Sequence, residues 1–181
     1  EAVLAKPGAV IEESATGATL HYGSVNPARI ADYRKRDTWL HDNPKLRAAI
    51  ADYTNGLYGT NVEPERVTVS SSGMTAIMMV MQMLVDAGDN VVVVGPVWPN
   101  ARSAVEVMGG EPRTVSLRYG NDGWALDVDE VLARCDGRTR AVFVNSPGNP
   151  TGWMMPRAQQ EALLAACRER GIWVIADEVY A

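Results

Sequence analysis

From residue 67 onward, short apolar runs alternate with stretches in which apolar positions recur every three or four residues. The runs are too short for helices and rich in β-branched residues, so they predict strands at 67–69, 91–94, 113–117, 141–145 and 173–176. The periodic stretches predict helices at 73–85, 99–108, 128–135 and 156–170; in the second, Ala101, Ala104, Val105 and Met108 share one face. The run Val91-Val92-Val93-Val94 shows no polar alternation, which is the pattern of a strand covered on both sides. Strands of that kind alternating with helices predict an α/β fold, three layers deep (α/β/α), around a mostly parallel sheet.

The region before residue 67 reads differently. Pro7-Gly8, Gly17, Gly23 and Asn26-Pro27 interrupt any long period, so residues 1–40 are expected to be an irregular N-terminal segment, set apart from a larger unit over 41–181. Asn43-Pro44 opens a helix in which Leu46, Ala49, Ile50 and Tyr53 repeat at helical spacing, punctuated by Gly56 and Gly59. The helix expected at 73–85 is apolar nearly all round, with Met74, Ile77, Met78, Val80, Met81 and Leu84 spread over every face. Such a helix belongs inside a large body, with its methionines filling gaps. The expectation is therefore a chain that forms part of a larger domain, incomplete at its C-terminal side.

Composition narrows the function classes. With 46% hydrophobic and 22% charged residues among 181, the chain has the balance of a globular protein. A net charge of -5 and the lack of a basic block argue against a nucleic-acid surface. No apolar stretch approaches the ~20 residues that span a bilayer. Cys135 and Cys167 stand outside any CxxC or Cys/His cluster, which predicts reduced thiols, no metal centre and a cytoplasmic protein. The chain opens with Glu1 rather than Met, so a segment upstream is expected.

Open α/β sheets bind ligands beyond the carboxyl ends of their strands, and four segments fall on that edge. Ser70-Ser71-Ser72-Gly73-Met74 leads into the apolar helix, and a serine cap with a glycine at a helix N-terminus suits a phosphate. No Gly-Lys-Ser/Thr follows it and no GxGxxG occurs in the chain, which excludes a Walker A loop and disfavours a Rossmann dinucleotide site. Gly95-Pro96-Val97-Trp98-Pro99 holds an aromatic between prolines where it can stack on a flat ring, a contact worth about 0.5–1.5 kcal/mol beyond burial. Asn145-Ser146-Pro147-Gly148-Asn149-Pro150-Thr151-Gly152 fixes the direction of the Asn149 amide with rigid neighbours.

Asp177-Glu178-Val179-Tyr180 supplies the fourth segment, where an acid ending an apolar strand is costly unless paired. A carboxylate ~4 Å from a pyridine nitrogen, at an effective dielectric of ~20, attracts the protonated ring by roughly 4 kcal/mol, before desolvation is subtracted. That is ~3 pKa units, enough to hold a pyridinium at neutral pH. Tyr180, three residues on, reaches the phenolic side of such a ring if a turn begins at Asp177.

These segments, in this order, resemble the fold-type I pyridoxal 5'-phosphate (PLP) enzymes, and among them the class I/II aminotransferases, over roughly residues 40–181. The resemblance implies the N-terminal part of a PLP-dependent transferase-like large domain. It implies that Ser72, Gly73 and Met74 hold the cofactor phosphate, Trp98 stacks on the ring, Asn149 and Tyr180 bond its O3′, and Asp177 pairs with N1. It also implies amino-group transfer between an amino acid and a 2-oxo acid, and a homodimer in the full-length form. The Schiff-base lysine of this family comes a few dozen residues after the Asp-x-x-Tyr element, hence beyond Ala181. The lysines present, Lys6, Lys35 and Lys45, all lie upstream, so the segment alone is expected to be inactive. The family's interface Tyr and Gly are absent from Asp37-Thr38-Trp39-Leu40-His41-Asp42-Asn43, and Gly23 matches its N-terminal carboxylate-binding loop poorly. A PLP-dependent C–S lyase or an aminocyclopropane-carboxylate synthase-like lyase would share the ring contacts. A non-catalytic PLP-sensing domain of a transcription regulator would share the fold.

Overall fold

The computed structural model describes residues 9–14, 17–22 and 43–181. Trp39, His41 and Gly23 lie outside them. The chain divides into two compact units, one within residues 1–71 and one from Ser72 to Ala181.

In the first unit, β1 (Ala9–Ser14) and β2 (Gly17–Tyr22) pair antiparallel from Ala9 opposite Tyr22 to Ser14 opposite Gly17. This corrects the irregular segment expected at 1–40: two six-residue strands fit between the breakers at Pro7-Gly8 and Gly23. Helix α1 (Pro44–Tyr58) starts as expected, with the Asn43 side chain accepting from the N–H groups of Lys45 and Leu46 and Pro44 in the first turn. Gly59 ends it at a φ of 64°, so Gly56 lies inside the helix. Ala51 is its buried residue, whereas Tyr53 is 70% exposed. Residues 67–69, expected as a strand, are not one: a strand is defined by its ladder, and no ladder forms there.

The second unit is the α/β layer structure. Four parallel strands, β3 (Asn90–Gly95), β4 (Glu111–Ser116), β7 (Thr139–Asn145) and β8 (Trp173–Asp177), lie in the order β4-β3-β7-β8. The short hairpin β5 (Arg118–Gly120) and β6 (Gly123–Ala125) stands apart from them. Alternation along the central strands divides the core into two layers. On one face Val91, Val93, Ala141 and Phe143 pack under α2 (Gly73–Leu84) and α3 (Asn100–Val107), through Met81, Ala101, Ala104 and Val105. On the other, Val92, Val94, Val142 and Val144 pack under α4 (Val128–Ala133) and α5 (Arg157–Arg170), through Val131, Leu163 and Cys167.

Helix α2 is less enclosed than its composition predicts. Met81 is fully buried, while Met83 is 79% exposed. Met74, Ile77, Met78 and Leu84 pack part-buried against the first layer.

The strand order places the sheet's reversal between β3 and β7: the chain leaves β3 outward to β4, then returns to β7 on β3's other side. Loops after neighbouring strands diverge at such a point and leave a crevice at the carboxyl edge.

Candidate active site

The crevice is a cavity of about 460 Å³, and all seven residues singled out in the sequence line it. Ser72, Gly73 and Met74 come from the start of α2, and Trp98 from the loop after β3. Asn149 comes from the turn after β7, with Asp177 and Tyr180 at and after the end of β8. The parity of the strands aims them. Ile175 packs on the α2/α3 side of the sheet and Val174 on the α4/α5 side, so Asp177, two residues after Ile175, shares the face of α2.

At the helix end, Ser72 is the N-cap, and its Oγ accepts from the N–H of Thr75 at 3.1 Å. The N–H of Ala76 bonds the Ser72 carbonyl. By helix geometry, the N–H groups of Gly73 and Met74 have no acceptor within the helix, and the dipole makes this end positive. A Cβ added at Gly73 would meet nothing within 4 Å, so the protein itself does not require a glycine there. Its bareness leaves room in the cavity wall.

Asn149 is held from three directions. Its N–H donates to Asn145 Oδ1 at 2.7 Å, its carbonyl accepts from the N–H of Trp98 at 3.0 Å, and its Nδ2 donates to Tyr180 Oη at 3.2 Å. The amide and phenol expected to grip one ring oxygen therefore already meet. Tyr180 gets there by a turn rather than a helix: the N–H of Ala181 bonds the Glu178 carbonyl, and Asp177 Oδ1 accepts from the N–H of Val179 at 3.3 Å. Asn145 Nδ2 donates to the Asp177 carbonyl at 3.0 Å.

Asn145, Ile77 and Val179 also line the cavity and were not singled out as site residues. For Asn145 a signal existed, since a polar amide closing the apolar run at 141–144 must find partners. Ile77 and Val179 carried none, being apolar residues in apolar surroundings.

Asp177 is the one ionisable carboxylate among the described lining residues, and no lysine or arginine joins it there. The cavity thus has a helix N-terminus for an anion, a carboxylate for a cation, and Trp98, 38% exposed, as an apolar face. No group of acidic, histidine or cysteine side chains suited to a metal occurs among the described residues. No helix among them is long and apolar enough to cross a membrane.

Comparison with known proteins gives the family. The family profile of aminotransferase class I and II matches residues 30–181. The arginine–pyruvate transaminase of Pseudomonas aeruginosa is 36% identical over 135 residues, 75% of this chain and 34% of that protein. Human kynurenine–oxoglutarate transaminase 1 is 31% identical over 147 residues, 76% of this chain and 35% of that protein. Among solved structures, N-succinyldiaminopimelate aminotransferase from Mycobacterium tuberculosis superposes with a TM-score of 0.73 at 33% identity, covering 76% of this chain and 36% of that one. The chain thus spans about a third of the length of these relatives. Its match to the family profile over residues 30–181, with a parallel sheet that superposes on a solved aminotransferase, places it in the aminotransferase class I and II family.

Proposed function

We propose that this chain builds the cofactor-binding half of a PLP-dependent aminotransferase site, acting on an amino acid and a 2-oxo acid. The reading rests on one observation: a helix N-terminus, a stacking aromatic, a paired amide and phenol, and a single carboxylate converge on one cavity. A phosphorylated pyridine carries the matching groups, an anion at one end, a cationic nitrogen, and a ring oxygen between.

The chain's residues then have these roles. The N–H groups of Gly73 and Met74, with Ser72, would take the phosphate, an anion–helix interaction worth up to ~2 kcal/mol in a partly buried setting. Trp98 would cover a ring face and exclude water from it. Asn149 and Tyr180 would hold the ring oxygen, each donating a hydrogen. Asp177 would keep the ring nitrogen protonated, because an opposite charge favours the charged form. Bound there, PLP supplies the electron sink for bond changes at the amino acid's α-carbon. A homodimer and a cytoplasmic setting complete the proposal, on the family resemblance and on two cysteines that stand outside any disulfide or metal pattern.

Saturable binding of pyridoxamine 5'-phosphate, followed by its near-ultraviolet absorption, tests the reading. Asp177→Ala is expected to weaken it at least tenfold and to abolish most 2-oxo-acid production by the full-length protein. Undiminished turnover in that variant would sink the assignment.

A further inference from the structure

We infer that Asn145 is the positioning residue of this site: its side chain fixes the spacing between the carboxylate and the ring-oxygen amide. The inference rests on the PLP reading above. Asn145 is 6% exposed at the tip of β7, where every other side chain from Ala141 onward is apolar. It lies directly opposite Asp177 in the parallel ladder, the last pair before both chains leave the sheet. There its two polar atoms go to two different segments. Nδ2 donates to the Asp177 carbonyl at 3.0 Å, and Oδ1 accepts from the N–H of Asn149 at 2.7 Å.

The partners settle the side chain's orientation, because a carbonyl can only accept and an N–H can only donate. They also explain the residue type. A carboxylate lacks the donor, an alanine lacks both groups, and a glutamine is one methylene too long for a bridge at these distances. The Asp177 carbonyl also accepts from the N–H of Ser146 at 3.1 Å, so the end of β8 is clamped to the start of the turn twice. Asn149 is in turn tied to Trp98 through its carbonyl. One buried amide thus joins the segments that would flank the ring: Asp177 at the nitrogen, Asn149 at the oxygen, and Trp98 on the face. Asn145 acts through these neighbours, since its own hydrogen-bonding atoms are committed to backbone.

The test is a double-mutant cycle on the full-length protein, read by titration with pyridoxamine 5'-phosphate, by the near-ultraviolet band of the bound ligand, and by thermal denaturation. Asn145→Ala is expected to weaken binding about tenfold, because the ligand must then order the Asp177 and Asn149 segments that Asn145 holds in place, and to shift the band in the direction that Asn149→Ala does. In the Asn149→Ala background the same change should cost less than about twofold, because the N–H that Asn145 holds remains but the side-chain amide it positions is gone. Equal losses in both backgrounds, or a lower melting temperature with unchanged affinity and band, overturn the inference while leaving the PLP reading intact. No saturable binding by the unaltered protein, or binding indifferent to Asp177→Ala, overturns the PLP reading and the inference with it. If Asn145→Ala does not fold, the near-isosteric Asn145→Leu, which lacks donor and acceptor and adds no charge to the cavity, takes its place under the same criteria.

Discussion

Gly148→Ala tests how tightly the turn carrying Asn149 is built. An ideal Cβ at Gly148 would sit 2.9 Å from Thr151 Oγ1, 3.2 Å from the Asn145 carbonyl oxygen and 3.5 Å from that of Trp153. The nearest of these atoms is on a side chain, but it is not idle: Thr151 Oγ1 accepts from the N–H of Trp153 at 3.2 Å. Rotating it away loses that bond, about 1 kcal/mol. The Asn145 carbonyl belongs to the end of a buried strand and has little room to retreat. The turn itself must therefore shift by a few tenths of an ångström. That strains the bonds from the Gly148 N–H to the Trp153 carbonyl, at 2.9 Å, and from the Gly152 N–H to the Gly148 carbonyl, at 2.7 Å. Overpacking of this kind costs about 1–3 kcal/mol. Urea denaturation should show that loss as a lower midpoint at unchanged slope, and pyridoxamine 5'-phosphate binding should weaken because Asn149 rides on the same turn. Gly137→Ala is the control, since a Cβ there meets nothing within 4 Å. If Gly148→Ala is as silent as Gly137→Ala in both assays, the argument for a rigid turn is wrong.

Three further outcomes follow from the core and its charges. Phe143→Ala, at a residue 1% exposed beneath α2 and α3, should cost about 3–5 kcal/mol in the same denaturation experiment, whereas Met83→Ala, at 79% exposure, should stay within about 0.5 kcal/mol. At the opposite edge of the sheet from the cavity, the Asp136 carboxyl is held well below the usual carboxylate range. The Arg113 guanidinium at 2.7 Å is the main cause, followed by the Arg138 N–H and the Asn90 amide. Arg140 does the same for Asp89. Because the folded pKa is the lower one, this stabilisation is fully present above the unfolded value of ~3.9 and drains away as pH falls below it. Denaturation midpoints should drop from pH 5 towards pH 2, less steeply in Asp136→Asn, and equal slopes would refute the linkage. Burial pushes the thiols of Cys167 and Cys135 up, so iodoacetamide at pH 7.5 should modify Cys167 only as fast as the protein unfolds, as read by mass spectrometry.

The layers of the second unit were legible because burial on both faces writes a strand as an unbroken apolar run. The runs at 91–94 and 141–144 announced themselves that way, and the observed bounds, 90–95 and 139–145, differ from expectation by two residues at most. What was not legible depended on partners. Residues 67–69 have the β-branched character of a strand, yet pairing decides the matter, and they form no ladder. The hairpin of β5 and β6 went unread because strands of three residues cannot display a period, though Gly123, at a φ of 93°, marked its turn. The strand order, and with it the reversal between β3 and β7, leaves no trace in any single strand's composition.

The site was more legible than the sheet order that assembles it, and the reason is register. Asn145 pairs with Asp177, and this fixes which way both side chains face. A slip of one residue would turn every side chain of β8 to the other side of the sheet. Asp177 would then face α5, and Ile175 and Val174 would exchange layers. The packing of Ile175 under α2 and α3, and of Val174 against the α4/α5 layer, opposes that slip. The same alternation holds Phe143 and Asn145 on the side where α2 begins, so the apolar residues that stabilise the core also aim the polar residues at its rim. Asn145 and Asp177, 32 positions apart in sequence, end neighbouring strands whose parity turns both side chains to one face, and Asn149 follows through the bond from its N–H to Asn145 Oδ1.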